Sequence, residues 1–204
     1  MPQYKTIIFF AVLLFALPCL AETQEEIVQK TEDYLNGIRT MQADFLQVAP
    51  SGQESTGKFY LSRPGKIRWE YETPSRILII VSGSLVSYYD YELNQVSHAP
   101  SGSSLAEFLA REKISLSGDV KVLSVTEEFG LITITITQAK KPDEGNLTLI
   151  FSDSPMMLKK LIVIDAAGKE TQVTFENPAF DLSLEKDLFI MKDPNLFKKK
   201  DTSH

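Results

Sequence analysis

Cysteine and histidine are almost missing from this 204-residue sequence, which holds one of the first and two of the second. Thiol chemistry and a His-rich metal site are thereby excluded as its main chemistry, since Cys19 lies in an apolar N-terminal run, His98 on a polar strand edge and His204 at the last position. Two such histidines build no Ser-His-Asp arrangement. No G-x-S-x-G elbow and no phosphate-cradling glycine loop occurs either, so nothing asks for a cofactor or a resident metal. Basic surplus is also absent. With 21 Lys plus Arg against 27 Asp plus Glu, a net charge of -6 lacks the field that gathers a phosphate backbone, which argues against a nucleic-acid partner.

Long apolar runs are scarce. The one that exists, Thr6 to Pro18, follows the lone early charge Lys5 and precedes Cys19-Leu20-Ala21, the pattern of a secretory signal peptide removed after Ala21. About a dozen apolar residues is short for a membrane span, and Pro18 before Cys19 speaks against a lipobox, although a lipidated Cys19 is the alternative. Removing residues 1–21 takes away Lys5 and Cys19. The remaining chain, 22–204, keeps 20 basic (21 less Lys5) and 27 acidic side chains, a charge of -7, and no cysteine. Such a chain holds together in an oxidising compartment without disulfides, which points to a bacterial periplasm. No linker, repeat or low-complexity segment divides it, so 22–204 reads as one domain.

What is present is strand. One amphipathic helix opens the mature chain, with Ile27, Thr31, Tyr34, Leu35 and Ile38 at helical spacing, Thr23 and Glu26 as a capping box, and Gly37 as a stop. Apolar alternation or continuous apolar runs then predict strands over 41–48, 57–61, 67–72, 77–81, 85–91, 120–125, 131–137, 147–151, 161–164 and 171–175, divided by turn clusters such as Arg63-Pro64-Gly65 and Phe129-Gly130. A large antiparallel sheet of sequential hairpins follows. The segment 103–110 breaks the meander, with Leu105, Phe108 and Leu109 making a short helical apolar face.

The strand faces carry the most information. Ile132, Ile134 and Ile136 alternate with threonines, as in a sheet with one dry side, whereas Ile77-Leu78-Ile79-Ile80-Val81 is apolar on both. Ile67, Trp69 and Tyr71 share a face opposite Lys66, Arg68 and Glu70. Twelve Phe, seven Tyr and one Trp are many rings for one sheet and two helical pieces. Two readings stand: a core wholly covered by the helix, or a concave apolar lining that a ligand completes. The acidic pairs Asp90 with Glu92 and Glu127 with Glu128 read as solvated strand faces before they read as catalytic carboxylates.

The stretch Gly57-Lys58-Phe59-Tyr60-Leu61-Ser62-Arg63-Pro64-Gly65-Lys66-Ile67-Arg68-Trp69-Glu70-Tyr71 resembles the periplasmic outer-membrane lipoprotein carriers, the LolA family, whose hairpin carries G-x-(aromatic or Leu)-x-x-x-R-P-x-x-x-x-W. Ala43-Asp44-Phe45-Leu46-Gln47 resembles its first strand, and Thr73-Pro74, Ser82-Gly83, Tyr88-Tyr89 and Gln95 keep its spacing. Gly145-Asn146-Leu147 matches a turn before its last strands, and Leu188-Phe189 its closing strand. Ser87 and Ile67 depart from the pattern, standing where aromatics are common.

The resemblance implies a mainly β fold with an α lid: an unclosed antiparallel half-barrel, covered by the N-terminal helix and a short central helix, enclosing an apolar cavity. It implies a monomeric carrier, not an enzyme, that takes acylated lipoproteins from an inner-membrane ABC-type release complex and passes them to an outer-membrane receptor. Arg63 would be the gate, hydrogen-bonding lid carbonyls, and Ile67, Trp69, Ile77, Ile79, Tyr89, Leu105, Phe108 and Leu109 would line the acyl-chain cavity. A lipid-anchored receptor of the same fold and a periplasmic lipid-binding or lipid-hydrolysing protein are the alternatives. Lys198-Lys199-Lys200 reads as a solvated tail, with docking to an acidic partner or anionic membrane as its other reading.

Overall fold

The computed structural model describes residues 22–101 and 105–192, with the backbone alone of Leu105 and Ala106. The signal-peptide reading of 1–21 and the tail Lys198-Lys199-Lys200 therefore lie outside the described residues. Helix α1 (Gln24–Gly37) begins as its sequence requires. The Thr23 hydroxyl accepts the Glu26 N–H at 3.3 Å while the Glu26 carboxylate accepts the Thr23 N–H at 2.8 Å, satisfying two otherwise orphaned donors. Ile27, Thr31 and Leu35 form its buried stripe.

Eleven strands follow: β1 (Thr40–Val48), β2 (Glu54–Ser62), β3 (Lys66–Thr73), β4 (Ile77–Ser82), β5 (Leu85–Asp90), β6 (Gln95–Pro100), β7 (Val120–Glu128), β8 (Leu131–Gln138), β9 (Gly145–Ser152), β10 (Met157–Asp165) and β11 (Glu170–Phe180). Three 3-10 turns interrupt them, η1 (Leu105–Ala110), η2 (Pro142–Glu144) and η3 (Lys186–Phe189). All strands pair antiparallel in one sheet of order β6-β5-β4-β3-β2-β1-β11-β10-β9-β8-β7. Hairpins account for every neighbour but one. The exception, β1 against β11 from Met41↔Phe180 to Val48↔Gln172, welds the N-terminal run of strands to the C-terminal run. Strands β6 and β7 stand at opposite edges, so the sheet does not close.

It must nevertheless roll up. One hydrophobic cluster contains Val81 of β4 and Val120 of β7, together with Leu35 of α1 and Phe108 of η1. Those two strands are eight neighbours apart, roughly 38 Å in a flat sheet, while a helix is only about 10–12 Å across. Only strong curvature brings both within reach of one helix and one turn. Gly57 marks where curvature and packing meet: a Cβ there would lie 2.1 Å from the Glu70 carbonyl oxygen and 2.9 Å from the Phe45 ring, so the bare backbone lets that ring lie flush beneath β2. Phe45 in turn sits edge-on to Trp69 and Tyr71, both at 5.0 Å between centroids.

The doubly apolar β4 has a second explanation. Its inner face, Ile77, Ile79 and Val81, pairs with Tyr71, Trp69 and Ile67, while its outer-face Leu78 and Ile80 cluster with Tyr89 and Phe189. Phe189 belongs to η3, so Leu188-Phe189 is a 3-10 turn plugging the outer face where a closing strand was expected. Strand β6 also escaped prediction, because its side chains are mostly exposed and show no alternation. Among the described residues no helix is long and apolar enough to cross a membrane.

Between lid and sheet, Leu35, Phe59, Phe108, Ile114 and Phe151 have no accessible surface and belong to one contiguous cluster, while Trp69, Tyr71, Ile77 and Ile79 on the same inner face are only half-buried.

Candidate functional site

The β2–β3 turn meets both lid pieces. Arg63, half-buried at its start, donates from Nε to the Leu109 carbonyl of η1 at 2.7 Å and from Nη1 to the Leu35 carbonyl near the end of α1. The same turn donates the Gly65 N–H to the Ala110 carbonyl at 2.8 Å. A guanidinium suits this place because carbonyls at a helix end are short of donors and carry partial negative charge. Burial drives its pKa down to about 10, and its third nitrogen, Nη2, is buried with no hydrogen-bond partner. The cation is thus held between two attractions and an uncompensated desolvation.

Two further contacts, between partners 78 and 84 residues apart and so without a local signal, tie the lid to itself. Asn36 donates to the Ile114 carbonyl at 2.9 Å and accepts the Ile114 N–H at 2.8 Å, while Glu32 accepts the Leu116 N–H at 2.6 Å. They make α1, η1 and the strap through Leu116 one mechanical unit. Its other end rests on the β9–β10 turn, where Lys30 pairs with Asp153 at 2.7 Å, and on the Tyr34 hydroxyl, which accepts the Leu158 N–H at 3.0 Å.

Beneath the lid, Ile67, Phe108 and Leu109 are buried in the main cluster, and Trp69 packs against Phe59 at 4.5 Å and Phe45 at 5.0 Å. Ile77 and Ile79 continue this face half-buried, flanked by Tyr71 and Tyr88. Tyr71 donates its hydroxyl to Gln47 at 2.9 Å, and burial, helped by the proximity of Tyr88, pushes its pKa up to about 12. Leu105 is in η1, with its side chain outside the described atoms.

Tyr89 is misplaced in the expected lining. It pairs with Leu78 and therefore points to the outer face, where its hydroxyl donates to Asn94 at 2.9 Å. A one-residue change of parity flips a side chain across the sheet, and apolar residues on both faces of β4 concealed the parity. Ser87 shares that outer face, buried and bonded to His98 Nδ1 at 2.9 Å, so this departure from the family pattern falls away from the lid. The acidic pairs are turn furniture: Asp90 accepts the Glu92 and Leu93 N–H groups, and Glu127 and Glu128 are exposed. Among the described residues no cluster of His, Cys, Asp and Glu has the makings of a metal site.

An apolar inner face, an unclosed sheet and a separately tethered lid define a protein that keeps apolar surface under a helical cover. Comparison with known proteins agrees. The family model described as outer membrane lipoprotein carrier protein LolA matches residues 36–192. An outer-membrane lipoprotein carrier protein of Methylococcus capsulatus is 30% identical over 203 residues, covering 95% of this chain and 96% of its own. Another, from Chromohalobacter salexigens, is 30% identical over 194 residues, covering 88% and 89%. A solved structure of an uncharacterized conserved protein from Thermus thermophilus superposes with a TM-score of 0.52 at 14% identity, over 83% of this chain and 94% of the other, which supports the fold alone. The chain belongs to the LolA family of outer-membrane lipoprotein carriers.

Proposed function

We propose that this protein binds the acyl chains of lipoproteins released from the inner membrane and carries them across the periplasm to an outer-membrane receptor. The observation that carries this reading is the lid: it covers the apolar inner face yet is fastened across the β2–β3 turn by Arg63 hydrogen bonds to two carbonyls, on α1 and on η1. A chain of about 16 carbons costs on the order of 10 kcal/mol to expose to water, so crossing an aqueous space requires a dry container. No fuel is available within such a carrier. It therefore loads by exchanging its own covering side chains for those of the cargo and releases to a site that binds better.

In this scheme Ile67, Trp69, Ile77, Ile79, Phe108 and Leu109 form the surface that acyl chains contact once α1 and η1 lift, and Arg63 is the latch. Leu105, on η1, stands beside them by position alone. The mature chain starts after Ala21, works in the periplasm as a monomer, and meets an ABC-type release complex on one side and a lipoprotein receptor on the other.

The test is loading and delivery of a synthetic triacylated lipopeptide. The purified protein should keep it soluble in a one-to-one complex and quench or shift the emission of Trp69, the only tryptophan. A protein that leaves the lipopeptide aggregated and Trp69 unchanged overturns the reading.

A further inference from the structure

Lid movement needs a side at which cargo gets in, and the lid's attachments are not alike. Where α1 meets the β2–β3 turn, the seam is stitched by the Arg63 hydrogen bonds, and the strap to Leu116 is held by Asn36 and Glu32. Where α1 faces β7, the structure instead leaves a cleft of about 660 Å³. That volume lies within the roughly 300–1,000 Å³ of ordinary ligand pockets. Its apolar walls are Val28 of α1, Leu116 of the strap, and Val122, Leu123 and Val125 of β7. Val28, Val122 and Val125 also pack directly on the main core, so the cleft is continuous with the inner face. Leu123 is 52% exposed at its lip, where β7 carries a bulge between Val122 and Ser124. Gln24, Gln29 and Ser124 add neutral hydrogen-bonding groups at the rim beside two carboxylates, Glu25 and Glu32, the second of which is engaged by the Leu116 N–H.

We infer that this α1–β7 cleft is the portal through which a fatty acyl chain enters, displacing the lid along the edge where no described hydrogen bond joins α1 to β7. The inference rests on the carrier reading above. Three features select an acyl chain over a peptide or an ion. Val28, Val122 and Val125 make its walls aliphatic and pack on the core; the rim includes amide and hydroxyl groups suited to ester carbonyls; and β7, an edge strand with no described strand beyond it, can move outward without breaking a ladder on its free side. Acyl chains entering there would thread under α1 toward Trp69 while the Arg63 latch still holds the opposite seam.

Reversible plugging tests this. In Cys19→Ser, which removes the chain's single cysteine, Leu123→Cys introduces one thiol at the cleft and Leu93→Cys, 70% exposed in the β5–β6 turn, introduces one that does not line it. Modification with a sulfonate-bearing methanethiosulfonate reagent adds a removable negative charge to the folded protein. At position 123 it should slow uptake of the triacylated lipopeptide about tenfold, because an acyl chain cannot pass an ionised group without desolvating it. Reductant should restore the rate, and prior loading should protect Cys at 123 from the reagent. At position 93 nothing should change. Equal uptake with and without the charge at 123, or equal slowing at both positions, overturns the portal while leaving the carrier intact. Normal uptake with failed handover to receptor-bearing vesicles would assign the cleft to a partner's strand. An unmodified protein that takes up no lipopeptide would instead remove the carrier reading and the portal with it.

Discussion

Replacing Arg63 with leucine should loosen the lid without unfolding the sheet, and the structure sets the size of the effect. Two hydrogen bonds from a charged donor contribute together about 3–6 kcal/mol. Those values are already net of an ordinary donor's desolvation; the further burial that lowers the arginine pKa from 12.5 to about 10, with Nη2 buried and unpartnered, reduces the sum. A remainder of about 1–3 kcal/mol in favour of the closed lid is the range in which a modest ligand changes the balance. Arg63→Leu removes both sides of this account and leaves two lid carbonyls short of a donor, although the Leu35 carbonyl keeps the Ile38 N–H at 3.3 Å. We expect the open fraction to rise roughly tenfold to a hundredfold if the surplus is 1.4–2.8 kcal/mol. Acrylamide quenching of Trp69 and hydrogen exchange at Ile114 report lid opening directly, and urea titration checks the sheet. Arg63→Lys should fall between the two, since one ammonium cannot span the Leu35 and Leu109 carbonyls as a planar fork does. Unchanged quenching and unchanged lipopeptide release in Arg63→Leu would refute the latch.

Two other perturbations probe groups away from the latch. Phe129, fully exposed in the β7–β8 turn with φ of +54°, occupies a left-handed position that a bulky residue resists, so Phe129→Asn should raise stability by about 1 kcal/mol, read as a higher urea midpoint; a lower midpoint would mean the ring makes a contact that this geometry lacks. Tyr71 has a folded pKa above its unfolded value of 10, so its contribution is whole below pH 10 and is lost as pH climbs to about 12. By pH 11 the loss should approach about 1 kcal/mol, and Tyr71→Phe should flatten that part of the pH profile while costing about 1 kcal/mol at neutral pH through the lost bond to Gln47. A variant whose stability still falls as steeply between pH 10 and 12 would place the titration elsewhere.

Much of this architecture is legible from side-chain period alone. Lys66 to Tyr71 sorts Ile67, Trp69 and Tyr71 to one face because a strand has a period of two, and the structure puts all three on the side of the lid. The capping box at Thr23 is equally local, since donor and acceptor lie within one helical turn. Parity fails where both faces are apolar. At β4 and β5 the missing information was a covering element 100 residues and more downstream, η3 with Phe189, which turns Tyr89 into an outer-face core residue. The Asn36 to Ile114 clasp shows the same limit: its partners are 78 residues apart, and an Asn before a Gly in a helix's last turn announces only a stop. How deeply the inner face is covered is illegible for a different reason. Sequence marks a face as apolar, and whether that face meets lipid or the chain's own rings depends on where a tethered lid comes to rest.

That last point bears on how one chain can be both stable and receptive. Phe108 and Leu35 of the lid are buried against the inner face, which would otherwise expose a large apolar patch. A carrier must also be able to lift such a cover. Sheet and lid divide these demands. The eleven strands are joined by continuous backbone ladders through β1 and β11, whereas the lid's described ties to the sheet include side-chain bonds such as Arg63 to Leu35 and Lys30 to Asp153. A lid fastened by side chains and the one backbone bond from Gly65 to Ala110 can open at a cost of a few kcal/mol without disturbing a ladder bond, which is the condition for exchanging one set of apolar contacts for another. Close packing under the lid is therefore compatible with carriage, because the contacts that cover the apolar face lie outside the sheet's backbone ladders.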